Sequence, residues 1–206
     1  MPPGGDSRLR IEAKGSELMV NGIHQLRLKG VIWRGPETGP KPVNGLHKHT
    51  LDWYLDFMVT HGFNAIRLPF NHRDVLDGAT IDISELPYAD PTWRGIDYVT
   101  MIKRVVQAAA RKGILVLLAC ERLEHVPIPD TEGGGLWYGF DFPEEDIVRS
   151  WQKLAAALCR TDWNVFGVDL MDEPVRAYFV ELPEQQQPER TNLQSFHSEN
   201  PRLHRA

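Results

Sequence analysis

The stretch from Phe166 to Pro174, FGVDLMDEP, carries an apolar run that ends abruptly in an acidic pair and a proline. Val165 and Phe166 open a segment of the length expected for a strand buried on both faces. Pro174 cannot donate to a ladder, so pairing should stop near it and leave Asp172 and Glu173 at a C-terminal strand end. Parallel α/β folds place their chemistry in the crevice formed by the loops leaving such ends. Taken alone, the tripeptide is also what a plain polar exit from a strand looks like. Other strand ends supply Trp33, Arg67 and Glu121, and a nearby loop supplies Trp137 and Tyr138. Rings, a cation and carboxylates on one rim suit carbohydrate chemistry. Sugar rings stack on Trp and Tyr, and cleaving a glycosidic bond needs one carboxylic acid to protonate the leaving oxygen and a second carboxylate. An arginine among them holds a carboxylate ionised and oriented; Arg67 could equally be a structural partner of Glu121.

The elements that would position these residues follow from hydrophobic periodicity. Residues 9–27 alternate as a β-hairpin, with Asn21-Gly22 as the turn signal. Leu28 to Trp33 reads as a first buried strand, leaving into a Gly- and Pro-rich loop that runs to about Leu46. Thr50 can cap a helix bearing Leu51, Tyr54, Leu55, Met58 and Val59, ended by Gly62. Phe63 to Phe70 is a second strand with Arg67 near its end, and a long excursion covers roughly 71–91. A helix from about Gly95 to Arg111 leads to a third, continuously apolar strand, Ile114 to Leu118, whose exit is Ala119-Cys120-Glu121-Arg122. Pro143 at a first helical turn, with Glu144 and Glu145, starts a helix whose apolar face includes Ile147, Trp151 and Leu154. The fourth strand then reaches Glu173. Four strand–helix units imply right-handed crossovers and a parallel sheet. Residues 1–8 read as a flexible start, 9–182 as one domain, and 183–206, which lack an apolar period, as a disordered tail.

Composition narrows the partners. The 206 residues carry a net charge of −5 and no Lys/Arg stripe interleaved with aromatics, which argues against nucleic acid. No apolar run approaches membrane-spanning length, and the N-terminus has no visible signal peptide. The two cysteines, Cys120 and Cys159, lack metal-ligand spacing and read as ordinary buried or half-buried thiols. His47 and His49 have no third ligand of fitting spacing, so no metal is implied. His72, after the second strand, is a minor candidate for sugar contact.

Several blocks in order resemble glycoside hydrolase family 5, the cellulase family. They are Leu28 to Trp33 with Gly35-Pro36-Glu37-Thr38, then Gly62 to Phe70, then Leu136-Trp137-Tyr138, then Asn164 to Pro174. The resemblance implies a (β/α)8 barrel of TIM type and retaining hydrolysis of β-linked glucans or mannans, with no cofactor. It assigns Glu173 as acid/base, Arg67 and Asp172 as positioning groups, and Trp33, Glu121, Trp137 and Tyr138 as substrate-binding. The family's amide before the acid/base is Asp172 here, a like charge that tends to raise a carboxyl pKa. Glu121 stands where the family commonly has a histidine. The family's nucleophile lies at the end of the seventh strand, whereas this sequence, a barrel truncated after the fourth, carries no such position, so this chain is expected to be inactive. A non-catalytic carbohydrate-binding or structural remnant is the rival reading, and open sheet edges would invite self-association. The family leads one to expect an extracellular protein.

Overall fold

The computed structural model describes residues 10–123, 138, 142–159 and 162–172. Trp137 and Glu173 lie outside these residues, as do the expected flexible start and the expected disordered tail.

Two sheets are formed. Strands β1 (Ile11–Lys14), β2 (Glu17–Val20) and β3 (His24–Leu26) make an antiparallel meander in the order β1-β2-β3, three strands where the alternation predicted a hairpin. The second turn is at Asn21-Gly22, both at positive φ. Strands β4 (Gly30–Ile32), β5 (Ala65–Asn71), β6 (Leu115–Arg122) and β7 (Val165–Asp169) form a parallel sheet in chain order, β4-β5-β6-β7. That order follows from crossovers through helices α1 (Leu51–Thr60), α3 (Tyr98–Arg111) and α4 (Glu144–Leu158).

Helix α1 begins after Thr50 as the sequence predicted, while α3 begins at Tyr98, later than the expected Gly95. Thr50 accepts a hydrogen bond from the Trp53 amide and Asp97 accepts one from the Thr100 amide, satisfying donors that the first turn leaves orphaned. Pro143 sits at the cap position of α4, one residue earlier than a first-turn proline. The excursion after β5 is more ordered than predicted, because His72–Asp77 form a short helix, α2. Asn71 caps it by accepting from the Asp74 amide, and Gly78 ends it in the left-handed conformation.

Alternation along the strands sorts the residues into two faces. Ile66, Leu68 and Phe70 of β5, with Val116, Leu118 and Cys120 of β6, are buried in one core with the apolar faces of α3 and α4. The opposite parity, beginning with Ile32, Arg67 and Leu117 in register, forms the inner face. β6 continues through Arg122, so Glu121 is part of the strand and not of its exit. β7 was expected to be buried on both faces, but its residues are half-buried and Val168 is 47% exposed. The physical reason is that, among the described residues, it pairs only with β6. Cys120 is buried, while Cys159 is exposed and not half-buried.

One buried amide locks this layering. Asn164, fully buried before β7, donates through Nδ2 to the carbonyls of Val106 at 2.9 Å and Ile114 at 3.0 Å, joining the core helix α3 to the start of β6. Its own carbonyl accepts from the Val116 amide at 2.7 Å. Asn164→Ala removes two hydrogen bonds to carbonyls in the buried layer, so stability should fall by about 1–3 kcal/mol in denaturant unfolding. A loss below about 0.5 kcal/mol would show that the amide is dispensable.

Candidate active site

Arg67 occupies the central position of the inner face, and its guanidinium is only 17% exposed. A cation this enclosed needs partners, and the neighbouring strands bring them. Nη1 donates to Glu121 Oε2 at 2.8 Å; Nη2 donates to Asp169 Oδ2 at 2.9 Å and to Asp172 Oδ1 at 2.6 Å. Glu121 lies four residues beyond Leu117, the residue in register with Arg67, so period-2 alternation returns it to the same face. Asp169 closes β7 opposite Ala119. The turn that follows is pinned by the Asp172 amide donating to the Cys120 carbonyl at 2.8 Å.

A second arginine completes the rim. Arg34, two residues past β4, donates to Glu121 Oε1 at 2.7 Å, so each oxygen of Glu121 is held by a different guanidinium. The loop carrying Arg34 is fixed by Glu37, a buried acid that accepts from the Gly35 amide at 2.7 Å and from Arg34 at 3.5 Å. Gly35 is required there: its φ is 139° and a Cβ would lie 2.5 Å from the Pro42 carbonyl oxygen. Pro36 O accepts from the Tyr98 hydroxyl at 2.6 Å, tying the same loop to α3.

Burial alone would raise the Glu121 pKa, but hydrogen bonds from Arg67 and Arg34, and their charges, outweigh it and leave the carboxyl below its ordinary value. For Arg67 burial works to lower the pKa, and hydrogen bonds to Glu121 and Asp169 carry it upward. Glu121 is therefore an ionised post, unsuited to donating a proton near neutrality, and Arg67 is a permanent cation.

Glu121, Arg67 and Asp172 are thus brought together, and Arg67 makes the structural pairing to Glu121 that was the alternative reading. Trp33 is not: its ring is 6% exposed, lies 5.6 Å from Tyr54, and donates through Nε1 to the Asn44 carbonyl at 2.9 Å. It packs under the loop that follows β4 and offers no face to a sugar. Tyr138 is half-buried. His72 is a core residue, bonded through Nδ1 to the Ser150 hydroxyl and ringed by Phe70, Phe142 and Trp151. Burial drives its pKa down to about 3, so it stays neutral. His49 stacks on Trp53 at 3.9 Å. Among the described residues no cluster of three or more His, Cys, Asp or Glu is arranged to hold a metal, and no helix is long and apolar enough to cross a membrane. Pattern reading missed Arg34, Glu37 and Asp169. Asp169 lies inside the stretch already singled out, but its place on the inner face depends on the register shift between Val116 and Leu117, which has no signal in the sequence.

Comparison with known proteins supports the fold. No family model matches the chain. An endoglucanase of Paenibacillus polymyxa is 27% identical over 162 residues, 78% of this chain and 39% of that protein. The major extracellular endoglucanase of Xanthomonas campestris is 29% identical over 153 residues, covering 72% of this chain and 29% of that protein. Among solved structures, the endocellulase of Pyrococcus horikoshii in complex with cellotetraose superposes with a TM-score of 0.68 at 33% identity, over 85% of this chain and 45% of its own. The catalytic domain of the Xanthomonas endoglucanase, at 23% identity, shares the fold with a TM-score of 0.71 over 90% of this chain and 51% of its own. Endoglucanases and cellulases therefore align with most of this chain, and the resemblance to the cellulase family is shown; the chain spans about half or less of the length of each of them.

The two perturbed groups act in different pH windows. His72, depressed in the fold, costs stability as pH falls below its unfolded value of about 6.5, because the unfolded chain takes up the proton first. Glu121, also depressed, contributes stability above its unfolded value of about 4.3 and loses it as pH falls through the folded pKa. In denaturant unfolding across pH, His72→Leu should flatten the wild-type slope beginning near 6.5, and Glu121→Gln should flatten only the part below about 4.5. Equal slopes in wild type and Glu121→Gln through the acid range would contradict the clamp.

Proposed function

We propose that this chain carries the acid/base half of a retaining endo-β-glucanase active centre. The observation that carries the reading is the Arg67 cluster, which gathers Glu121, Asp169 and Asp172 from adjoining strand ends immediately before Glu173. In this reading Glu173 protonates the glycosidic leaving oxygen and later activates water, while Asp172 and Arg67 hold substrate and neighbouring carboxylates in place. Tyr138 and Trp137 are proposed to line the cleft. The substrate class is β-linked glucan, supported by the resemblance to endoglucanases.

Retention needs a second carboxyl about 5 Å from the acid/base. The described rim carboxylates Glu121, Asp169 and Asp172 are all engaged by Arg67, which supports the proposal that this chain binds glucan without turning it over by itself. Four acids, counting Glu37, face two guanidiniums at this rim. A carboxyl added beside them is favoured in its protonated form, as a general acid requires.

Calorimetry should detect cellotetraose binding, and reducing-end release from soluble β-glucan should stay at background. Carbon-detected NMR should find Glu173 titrating above the ordinary value of about 4.3; a lower value would remove it as general acid. Should turnover be observed, Glu173→Gln must reduce it about 10²–10⁴-fold, and release that survives that change would sink the assignment.

A further inference from the structure

A second concavity lies away from the Arg67 rim, between the N-terminal turn of α1 and the outer side of α3, beneath the segment 87–93. Its volume is about 620 Å³, within the range of small-ligand sites. The walls are built in advance. The Tyr88 amide donates to the Leu46 carbonyl at 3.0 Å, the Trp93 amide donates to Asp90 O at 2.9 Å, and Arg104 Nη1 donates to the Thr92 carbonyl and hydroxyl at 3.0 and 2.9 Å. Buried Trp93 and Leu46 anchor the segment from below.

The chemistry of the lining selects a ligand. Two acids, Asp52 and Asp90, and two arginines, Arg104 and Arg111, are among the lining residues, so the lining carries no net charge to favour an anion or a cation. Gln107 adds an uncharged donor and acceptor. At the mouth Tyr88 is 49% exposed, an aromatic body held there by its backbone bond to Leu46. A neutral molecule with many hydroxyls and apolar ring faces fits such a surface, because aromatic rings cover its C–H faces and the surrounding acids, amide and guanidiniums pair its hydroxyls.

The geometry points to this groove as a second, non-catalytic binding site for a neutral oligosaccharide, held by Tyr88 and Gln107. The choice of a β-glucan rests on the hydrolase reading above. The loop from Arg34 to Leu46 spans both places, since its first residue clasps Glu121 and its last lines the groove. A glucan chain could therefore be retained by the protein beside the rim, without passing through it.

The test is affinity electrophoresis of the full chain in gels containing soluble mixed-linkage β-glucan, with melting temperatures measured for each variant. Tyr88→Ala should weaken retention about tenfold, and Gln107→Ala should weaken it several-fold. Should Tyr88→Ala fail to fold, Gln107→Ala alone decides the matter. Retention unchanged in the folded groove variants overturns the groove, and if it falls instead in Asp172→Asn the rim reading stands without it. Wild type that is not retained at all also overturns the groove. The hydrolase reading fails by a separate route, the titration and turnover behaviour of Glu173, which the groove variants do not touch.

Discussion

A guanidinium enclosed among strand ends is the constraint on which the rest of this structure depends. Arg67 cannot shed its charge, and leaving it unpaired at 17% exposure would cost several kcal/mol. Its partners come from β6, from the last residue of β7 and from the turn beyond it, so the ion cluster exists only if three segments far apart in sequence arrive in one register. One irregularity serves that end. The shift between Val116 and Leu117 sets Gly167 opposite Leu117, and this places Asp169 opposite Ala119 on the inner face. Without it a strand of period 2 would carry the carboxylate to the helix side. The fold and the cluster are in this sense one arrangement, each specifying the other.

The same cluster divides labour among acids that look alike in sequence. Glu121, held at both oxygens, gives up its capacity to exchange protons in return for fixing two arginines. Glu37 is buried and spent on a loop amide. Asp169 and Asp172 share one nitrogen of Arg67, which leaves the charge of the rim in favour of the acids. Such an excess disfavours ionisation of any further carboxyl placed beside it. Environment, not residue type, sets what each acid at the rim does.

What could be read from the sequence followed from local rules with a period. Apolar alternation and the cap at Thr50 depend on neighbours within a few residues, and those features are where the pattern placed them, whereas Arg67 lies third in a seven-residue strand and not near its end. The misplaced residues are those whose environment is set from afar. Trp33 looks like a rim aromatic until the loop to Leu46 folds back and supplies the Asn44 carbonyl to its ring nitrogen. His72 looks like a loop histidine until α4 delivers Ser150 and Trp151 across a separation of some 80 positions. The short helix α2 was hidden because six residues carry too little periodicity to be seen, although its Asn71 cap and Gly78 stop were both legible. Arg34 escaped notice because an arginine in a Gly/Pro-rich loop has no pattern of its own; only the partner, Glu121, reveals it.

The inner face is less well supported than the helix side of the sheet. Below Arg67, Ile32, Leu117 and Phe166 line a shallow depression of about 260 Å³ that is almost wholly apolar, and Ile32 is 52% exposed there. In a closed parallel barrel such side chains are packed in layers by the facing strands, and it is this packing that keeps the strand ends rigid. Precise placement of two carboxyl groups about 5 Å apart depends on a support shell that does not move. In the described residues that support exists on the helix side, where Ile66, Leu68 and Phe70 are fully buried, and is thin on the inner side. The ion cluster compensates in part, because a guanidinium bridging three carboxylates braces the rim from above. It holds Glu121, Asp169 and Asp172 in one arrangement, while the apolar inner side of the sheet beneath them stays open among the described residues.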